Sequence, residues 1–436
     1  MYKYKPYPKY KDSGVEWLGE VPSLWDTIQF RRITSLQQGL QISQESRFPE
    51  GNDTTIEYIT IKALHAGNER KNKEYINKPS IRVQCDIDDV LLARTGATGE
   101  VVTNVKGVFH NNFFKINYDR KRILRNYLVY LLKVKELKNH LLMLAGTTTI
   151  PDLNHGAFLG TVIPLPSLEK QQIITNYLDK ATAKIDTLIQ KQTKLIELLR
   201  EKRQALISTA VTRGFDSSVA MKDSGVEWLG EIPEHWDTHR IDWVNTIVRG
   251  NTGFNKDELL DNGKYVALQY GKTYKVDEVN ETFKFYVNDE FYKLSQVVHH
   301  GDTILISTSE TVEDLGHSCF YNRDDLGLIG GEQILLKPNT KLVFEKYLYY
   351  CSKIFSSELK KYSTGLKVFR FNIDDLKNIF ISLPSLQEQE EIANYIDDKT
   401  SKIDILITKA TKAIELLKER RTVLISAVVT GKIDVR

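Results

Sequence analysis

The chain has 436 residues, enough for about two or three domains. Hydrophobic residues make up 41% and charged residues 27%, a balance that supports packed cores and excludes a disordered chain. The formal net charge is only +3, so any basic footprint for nucleic acid has to be local.

The N-terminus, Met1-Tyr2-Lys3-Tyr4-Lys5-Pro6, is basic but has no apolar segment behind it, so a secretory leader is not expected. No apolar run approaches the ~18 residues of a membrane span, and no membrane contact is expected. Cys85, Cys319 and Cys351 are odd in number and far apart. They form neither a disulfide framework nor a zinc motif, which fits the cytoplasm.

Residues 11–20 read KDSGVEWLGE, and residues 222–231 read the same ten residues again. The match continues as VPSLWDT against IPEHWDT, ending at Thr27 and Thr238. Trp17, Trp25, Trp228 and Trp236 in these segments read as core anchors at a domain entry.

A divergent block follows each entry segment. In the first, strand-like runs are Ile56–Ile61, Val90–Ala93 and Phe113–Ile116, then an amphipathic helix at Tyr127–Leu132. In the second, the strands are Tyr265–Gln269, Thr303–Ser307 and Ile334–Leu336, with the helix around Tyr347–Tyr350. Each block is an α+β domain of ordinary size.

Three polar loops recur at parallel places. An early one carries Lys62 and His65 in the first block, and Gln269, Tyr270 and Lys272 in the second. A strand-turn carries Arg94, Thr95 and Thr98, against Thr308 and Ser309. A late loop carries Thr147, Thr148 and Thr149, against Lys367 and Arg370. Such side chains hydrogen-bond base edges and phosphates. Taken singly, each loop also reads as an ordinary tight turn. As a set they are the expected binding surface.

A second shared segment closes each copy. Leu165-Pro166-Ser167-Leu168 matches Leu383-Pro384-Ser385-Leu386, and a long run without Pro or Gly follows both. Apolar residues fall at Ile174, Leu178, Ala181, Ile185, Leu188, Leu195, Leu199 and Leu206, and again at Ile392, Ile396, Ile403, Leu406, Ala410, Ala413, Leu417 and Leu424. The steps alternate four and three, the 3.5-residue repeat of a coiled coil, with Gln192 and Lys202 interrupting the first seam and Arg420 at the Lys202 position. Each helix spans roughly 60 Å at 1.5 Å per residue and is not stable alone. The obvious partner for each is the other, antiparallel about a pseudo-two-fold axis. Homodimerisation through a plain coiled coil is the competing arrangement. The mixed Lys, Arg and Glu on the outer face read as a solvated surface.

The fold class expected is therefore α+β. Two tandem target-binding domains (1–167 and 214–385) are separated by long helices (168–213 and 386–436) that pair as an antiparallel coiled coil.

Catalytic motifs are missing. Gly271-Lys272-Thr273 has Val266 where a phosphate-binding loop needs its first glycine. Arg94–Gly99 lacks the start of a dinucleotide loop, and no two prolines are adjacent, which removes the Asn/Asp-Pro-Pro-aromatic motif of amino-methyltransferases. His299-His300 has no metal-ligand spacing.

The duplicated W-L-G-E-[IV]-P-x-x-W entries, the D-V-L-L-A-R-T-G strand-turn and the L-P-S-L preceding a long helix that ends R-x-x-L-I-S resemble the specificity subunit of Type I restriction-modification systems. The resemblance covers essentially the whole chain. It implies two target-recognition domains, each reading half of a bipartite site in double-stranded DNA. The paired helices set the gap and dock two methyltransferase subunits. It further implies restriction/translocase subunits joined to that core. S-adenosylmethionine, ATP and Mg are expected on the partners, none on this non-catalytic chain. Ser307-Thr308-Ser309-Glu310 departs from the family's R-x-G turn, which puts that loop's contact role in doubt. A stand-alone DNA-cleaving restriction enzyme with a cryptic site is the alternative.

Overall fold

The computed structural model describes residues 5–64, 73–79, 81–146, 151–365 and 367–436. The chain divides into two compact units, Met1–Thr193 with Thr411–Arg436, and Lys194–Ala410. Each unit therefore contains one divergent block and parts of both long helices.

Both units contain the same hairpin. In the first, Tyr10–Asp12 pairs with Glu20–Pro22; in the second, Met221–Asp223 pairs with Glu231–Pro233. A strand just after the entry then pairs with a strand just before the long helix. These are Asp26–Gln29 with Val162–Leu165, and Asp237–Arg240 with Phe380–Leu383. This pairing ties the two ends of each divergent block together. What lies between is free to vary without disturbing the frame.

The blocks share one topology despite their sequences. The first has a sheet in the order Thr34–Gln38, Phe113–Tyr118, Leu91–Ala93, Val101–Val102, and another in the order Glu74–Asn77, Thr55–Ile59, Gly107–Phe109, Gln84–Cys85. The second repeats this with Asn245–Arg249, Gln333–Pro338, Thr303–Ile306, Ser318–Tyr321 and an added Glu278–Val279, and with Tyr286–Val287, Tyr265–Leu268, Gly327–Ile329, Val297–Val298. The expected strands lie within these bounds to a residue or two. The amphipathic helices are Arg125–Leu132 and Glu345–Leu359; they bury Tyr127, Leu128, Leu131 and Leu132, and Tyr347 to Cys351.

The long helices run Leu168–Arg213 and Leu386–Val429. They pair antiparallel. In the first unit Lys170 meets Asp434 (2.7 Å) while Asp186 meets Arg421 (3.0 Å). In the second, Arg203 meets Asp404 (3.1 Å), the same pairing with each residue exchanged for its counterpart in the other helix. Ile174, Leu178 and Ile185 pack with Leu424, Ile425 and Val428 in the first unit's core. Ile207, Ala210 and Val211 pack with Ile392, Ala393 and Ile396 in the second's. The seam is not buried throughout: Leu188 (46%), Leu195 (42%) and Leu406 (48%) remain exposed. Toward its ends the seam is also covered by a block's own helix and strands, whereas these residues lie beyond that cover.

Two duplicated polar clamps fix each helix to its block. Gln171 is fully buried; its amide donates to Pro166 O (2.9 Å) and Arg122 O (3.0 Å) and accepts from Leu124 N (2.8 Å). Gln389 repeats this with Pro384 O, Leu342 O and Phe344 N. The Tyr127 hydroxyl lies 3.3 Å from both Pro164 O and Val429 O, and the Tyr347 hydroxyl reaches Ser382 O (2.9 Å) and Val211 O (3.2 Å). At the helix ends Gly431 and Gly214 take φ of +78° and +73°. A Cβ on Gly431 would stand 2.3 Å from Pro22, so the close approach requires glycine there. Trp25 and Trp236 are buried beneath these turns, as core anchors should be, while Trp17 and Trp228 are half-buried.

Among the described residues no helix is long and apolar enough to cross a membrane, and no cluster of metal-ligating side chains occurs. The three cysteines are buried free thiols, each pushed up to about 12 by burial.

One buried carboxyl gives the second unit a pH signature. Burial pushes Asp302 up to about 6, against the His299 N–H (2.9 Å) and the nearby Lys337, which both favour its charge. Its folded value lies above its ordinary one. Its contribution is therefore fully present below pH ~4 and lost as pH rises through about 6. We expect Asp302→Asn to stabilise the second unit by about 1–2 kcal/mol at pH 8 and to change nothing at pH 4. Urea unfolding at the two pH values checks this; an equal effect at both would contradict it.

Candidate nucleic-acid interface

In the first unit the fully buried strand Leu91–Ala93 delivers the Arg94–Gly99 turn to one end of its sheet. The turn needs positive φ at Gly96 (+80°) and Gly99 (+86°). Arg94 N–H donates to Asn112 O (2.8 Å), and Arg94 O accepts from Leu153 N–H (2.9 Å). The Arg94 guanidinium grips Asp152 with two bonds (2.9 and 2.6 Å) and lies over the Phe114 ring. The Thr98 hydroxyl, buried, sits within bonding reach of Arg94 O (3.0 Å) and Pro151 O (2.8 Å). Thr95 is half-buried at the tip.

The strand-turn and residues 151–153 are thus fastened together across more than fifty residues of sequence. His65 and Thr147, Thr148 and Thr149 lie outside the described residues. Lys62 stands on a short 3-10 helix, Ile61–Leu64, rather than in an open loop. Its exposed ammonium pairs with Glu74 (2.7 Å), and Arg47 shares that carboxylate (2.9 Å). The two cations hold Glu74 below its ordinary value, with the Lys62 bond the larger cause. Ile61 packs 3.6 Å from where a Cβ of Gly96 would stand, which brings the early loop to the same end of the sheet.

The second unit repeats these joints with different side chains. Ser307 N–H donates to Glu332 O (3.1 Å) and Ser307 O accepts from Phe371 N–H (3.3 Å), the same two backbone bonds that Arg94 makes. Thr308 and Ser309, read as a loop, form a short strand paired with Phe369–Arg370, placing Thr308 opposite Arg370. That pairing is the reason for the difference: two segments sixty residues apart satisfy each other's backbone groups. Ser309 is buried, Thr308 half-buried, and Lys367 and Arg370 are exposed. Gln269 precedes a four-residue helix, Tyr270–Thr273, again not the open loop expected. Tyr270 stacks on Tyr274 (5.6 Å) and the Lys272 ammonium lies 4.3 Å over the Phe285 ring.

A fourth element escaped the sequence reading. The turn His110–Asn112 binds Ile59 O through His110 N–H (2.9 Å) and Leu40 O through Asn111 N–H (3.1 Å). The Asn111 side chain donates to Gln41 Oε1 (2.9 Å). Gly330–Glu332 takes its place in the second block, bonded to Leu268 O and Thr252 O (both 3.0 Å). This turn links the strand that leads to the early segment with the strand-turn. Gly330-Gly331 was a turn signal in the second copy; the first copy's His-Asn-Asn carried none of comparable strength.

Each unit is therefore a sheet-based platform with polar segments gathered at one end, and the described side chains of those segments differ between the two units. This is the architecture of a recognition module. A family model for the Type I restriction modification DNA specificity domain matches residues 22–198 and 233–416. The chain belongs to this family and carries two copies of its domain. It is 28% identical over 397 residues to the type I restriction enzyme MjaVIII specificity subunit of Methanocaldococcus jannaschii, spanning 87% of this chain and 86% of that protein. It is 25% identical over 436 residues to the putative MjaX specificity subunit of the same organism, spanning 96% of each. A solved chain of the type I R-M system superposes with a TM-score of 0.71 at 16% identity, covering 95% of this chain and 99% of that one. The HsdS subunit of Thermoanaerobacter tengcongensis superposes at 0.53 with 16% identity, covering 95% and 98%. Tandem DNA specificity domains make this chain a DNA-sequence-recognition protein rather than a stand-alone cleaving enzyme.

Proposed function

We propose that each divergent block reads one half of a bipartite site in double-stranded DNA. In the first unit Lys62, Arg94 and Thr95 face the DNA, with the segment that carries Thr147, Thr148 and Thr149. In the second unit the contacts are Gln269, Tyr270, Lys272, Thr308, Lys367 and Arg370. Thr98 and Ser309, both buried, hold their turns in shape. Exposed Lys and Arg supply phosphate and guanine contacts, and amide and hydroxyl groups supply adenine and thymine contacts.

In this reading the repeated frame docks two methyltransferase subunits and the helices set the gap between half-sites. Restriction/translocase subunits complete a cytoplasmic complex. S-adenosylmethionine, ATP and Mg reside on those partners. A net charge of +3 means that much of the backbone affinity comes from them too. The observation that carries the proposal is the contrast between the two units: one frame kept nearly unchanged, holding loop clusters most of whose side chains differ.

The test is a block exchange. Replacing residues 28–164 with the corresponding block of another family member should change one half-site of the methylated motif and leave the other half and the gap unchanged. Alteration of both halves, or of neither, would refute the assignment of one reader per half-site.

A further inference from the structure

The KDSGVEWLGE hairpins are identical in the two units, yet the fold accounts for only half of their residues. Asp12 accepts from Gly14 N–H (2.9 Å), and Asp223 from Gly225 N–H (3.0 Å). The Ser13 and Ser224 hydroxyls accept from Val15 and Val226 N–H (3.2 and 3.1 Å). Gly14, Gly19, Gly225 and Gly230 have φ between +62° and +72°, and Leu18 and Leu229 are buried. These are local requirements of the turn.

They leave Glu16, Glu20 and Glu227 unexplained; Glu231 faces Arg213 (3.6 Å), and Trp17 and Trp228 pack only in part against the cores of their units. All four glutamates are exposed and both indoles are half-buried. Exposed positions drift when only stability is selected. Immediately beyond the hairpin they have done so: exposed Ser23 and Leu24 are replaced by exposed Glu234 and His235. Retention of two glutamates and a tryptophan on the surface, twice, marks a surface under a shared constraint.

Both indoles border open clefts. Trp17 lines one of about 440 Å³ with Tyr10, Glu16, Glu20 and Lys432. Its Nε1–H is covered and has no acceptor among the described residues. Trp228 lines one of about 560 Å³ with Glu201, Gln204, Ser208 and Ile354. An aromatic flanked by carboxylates suits a partner that offers an arginine or lysine beside an apolar side chain. The clefts differ in their lining, but the hairpins that carry both indoles are identical, and two identical hairpins on one chain call for two copies of the same partner.

We propose that the hairpins 11–20 and 222–231 are twin docking elements, each engaging a basic patch on one methyltransferase subunit through its two glutamates and its indole. This rests on the reading above that the repeated frame docks two such subunits. The experiment uses the full chain co-expressed with its system's methyltransferase and restriction subunits, with copy number read by native mass spectrometry. Glu16→Lys with Glu20→Lys should weaken one methyltransferase site at least tenfold and leave a one-copy complex. Adding Glu227→Lys and Glu231→Lys should leave none at concentrations that saturate the wild type. The matching glutamine variants should be intermediate. All these positions are exposed, so thermal unfolding of the chain should not move. Two copies on the fourfold lysine variant would overturn the proposal, as would loss confined to restriction subunits. A wild-type chain that fails to take two methyltransferase copies would instead sink the underlying reading.

Discussion

Replacing Trp236 with alanine should destabilise the second unit by about 4 kcal/mol and lower its unfolding temperature by about 10 °C. Trp236 is fully buried, and its large side chain sits among Ile207, Ala210, Val211 and Ile392, where both long helices meet the block. Its ring is 3.5 Å from where a Cβ of Gly214 would stand. Its indole donates to Glu388 Oε1 (3.0 Å) in the first turn of the C-terminal helix. Alanine leaves a cavity and takes a hydrogen bond from a carboxylate that, among the described residues, then keeps His235 (3.1 Å). Amide exchange should accelerate in the second unit and stay unchanged in residues of the first block. A melting temperature within 2 °C of wild type would show that this junction does not hold the unit together.

The second large effect concerns spacing. Deleting Lys191–Glu197 together with Lys409–Glu415 removes seven residues at equivalent places in the two helices. Seven residues are close to two full turns, so the apolar seam rotates by only ~20° and the pairing survives. The helices lose roughly 10 Å each. The gap between half-sites should shorten by about three base pairs, at ~3.4 Å per pair, while each half-site keeps its sequence. Deleting four residues instead rotates the seam by ~40° and should weaken the pairing as well. If the gap stayed fixed after the seven-residue deletion, the helices would not be what sets it.

The repeat, the long helices and the α+β character of the blocks were all legible in the sequence. Identity in register and a 3.5-residue period are local patterns, and burial of Ile174, Leu178, Ile392 and Ile396 follows from them. Features made by distant pairings were not legible. Gln171 and Gln389 look like ordinary polar residues in a first helical turn, yet each is a buried clamp between helix and block. Arg94 looks like a free cation after a strand, but Asp152, fifty-eight residues on, holds it with two bonds. Thr308–Ser309 carries no strand periodicity because its ladder is two residues long and its partner is Phe369–Arg370. Leu188 and Leu195 fit the seam pattern and are nonetheless exposed, because the pattern cannot tell how far the covering block reaches along the helix.

The candidate interface is divided in the same way. Sequence pointed to the strand-turn and the early segment in each unit and to the late loop in the second, since segments between strands declare themselves by composition; the first unit's Thr147–Thr149 lie outside the described residues. It missed the His110–Asn112 turn, and it could not tell the outward-facing Lys367 and Arg370 from the buried Thr98 and Ser309.

The central claim is that one chain carries two independent DNA readers. Co-expression with the methyltransferase of its system, followed by mapping of modified adenines across a genome, tests it most directly. The account predicts a bipartite motif of two unrelated half-sites separated by a fixed, unspecified gap. A single continuous motif, or a pattern that does not depend on this chain, would contradict it.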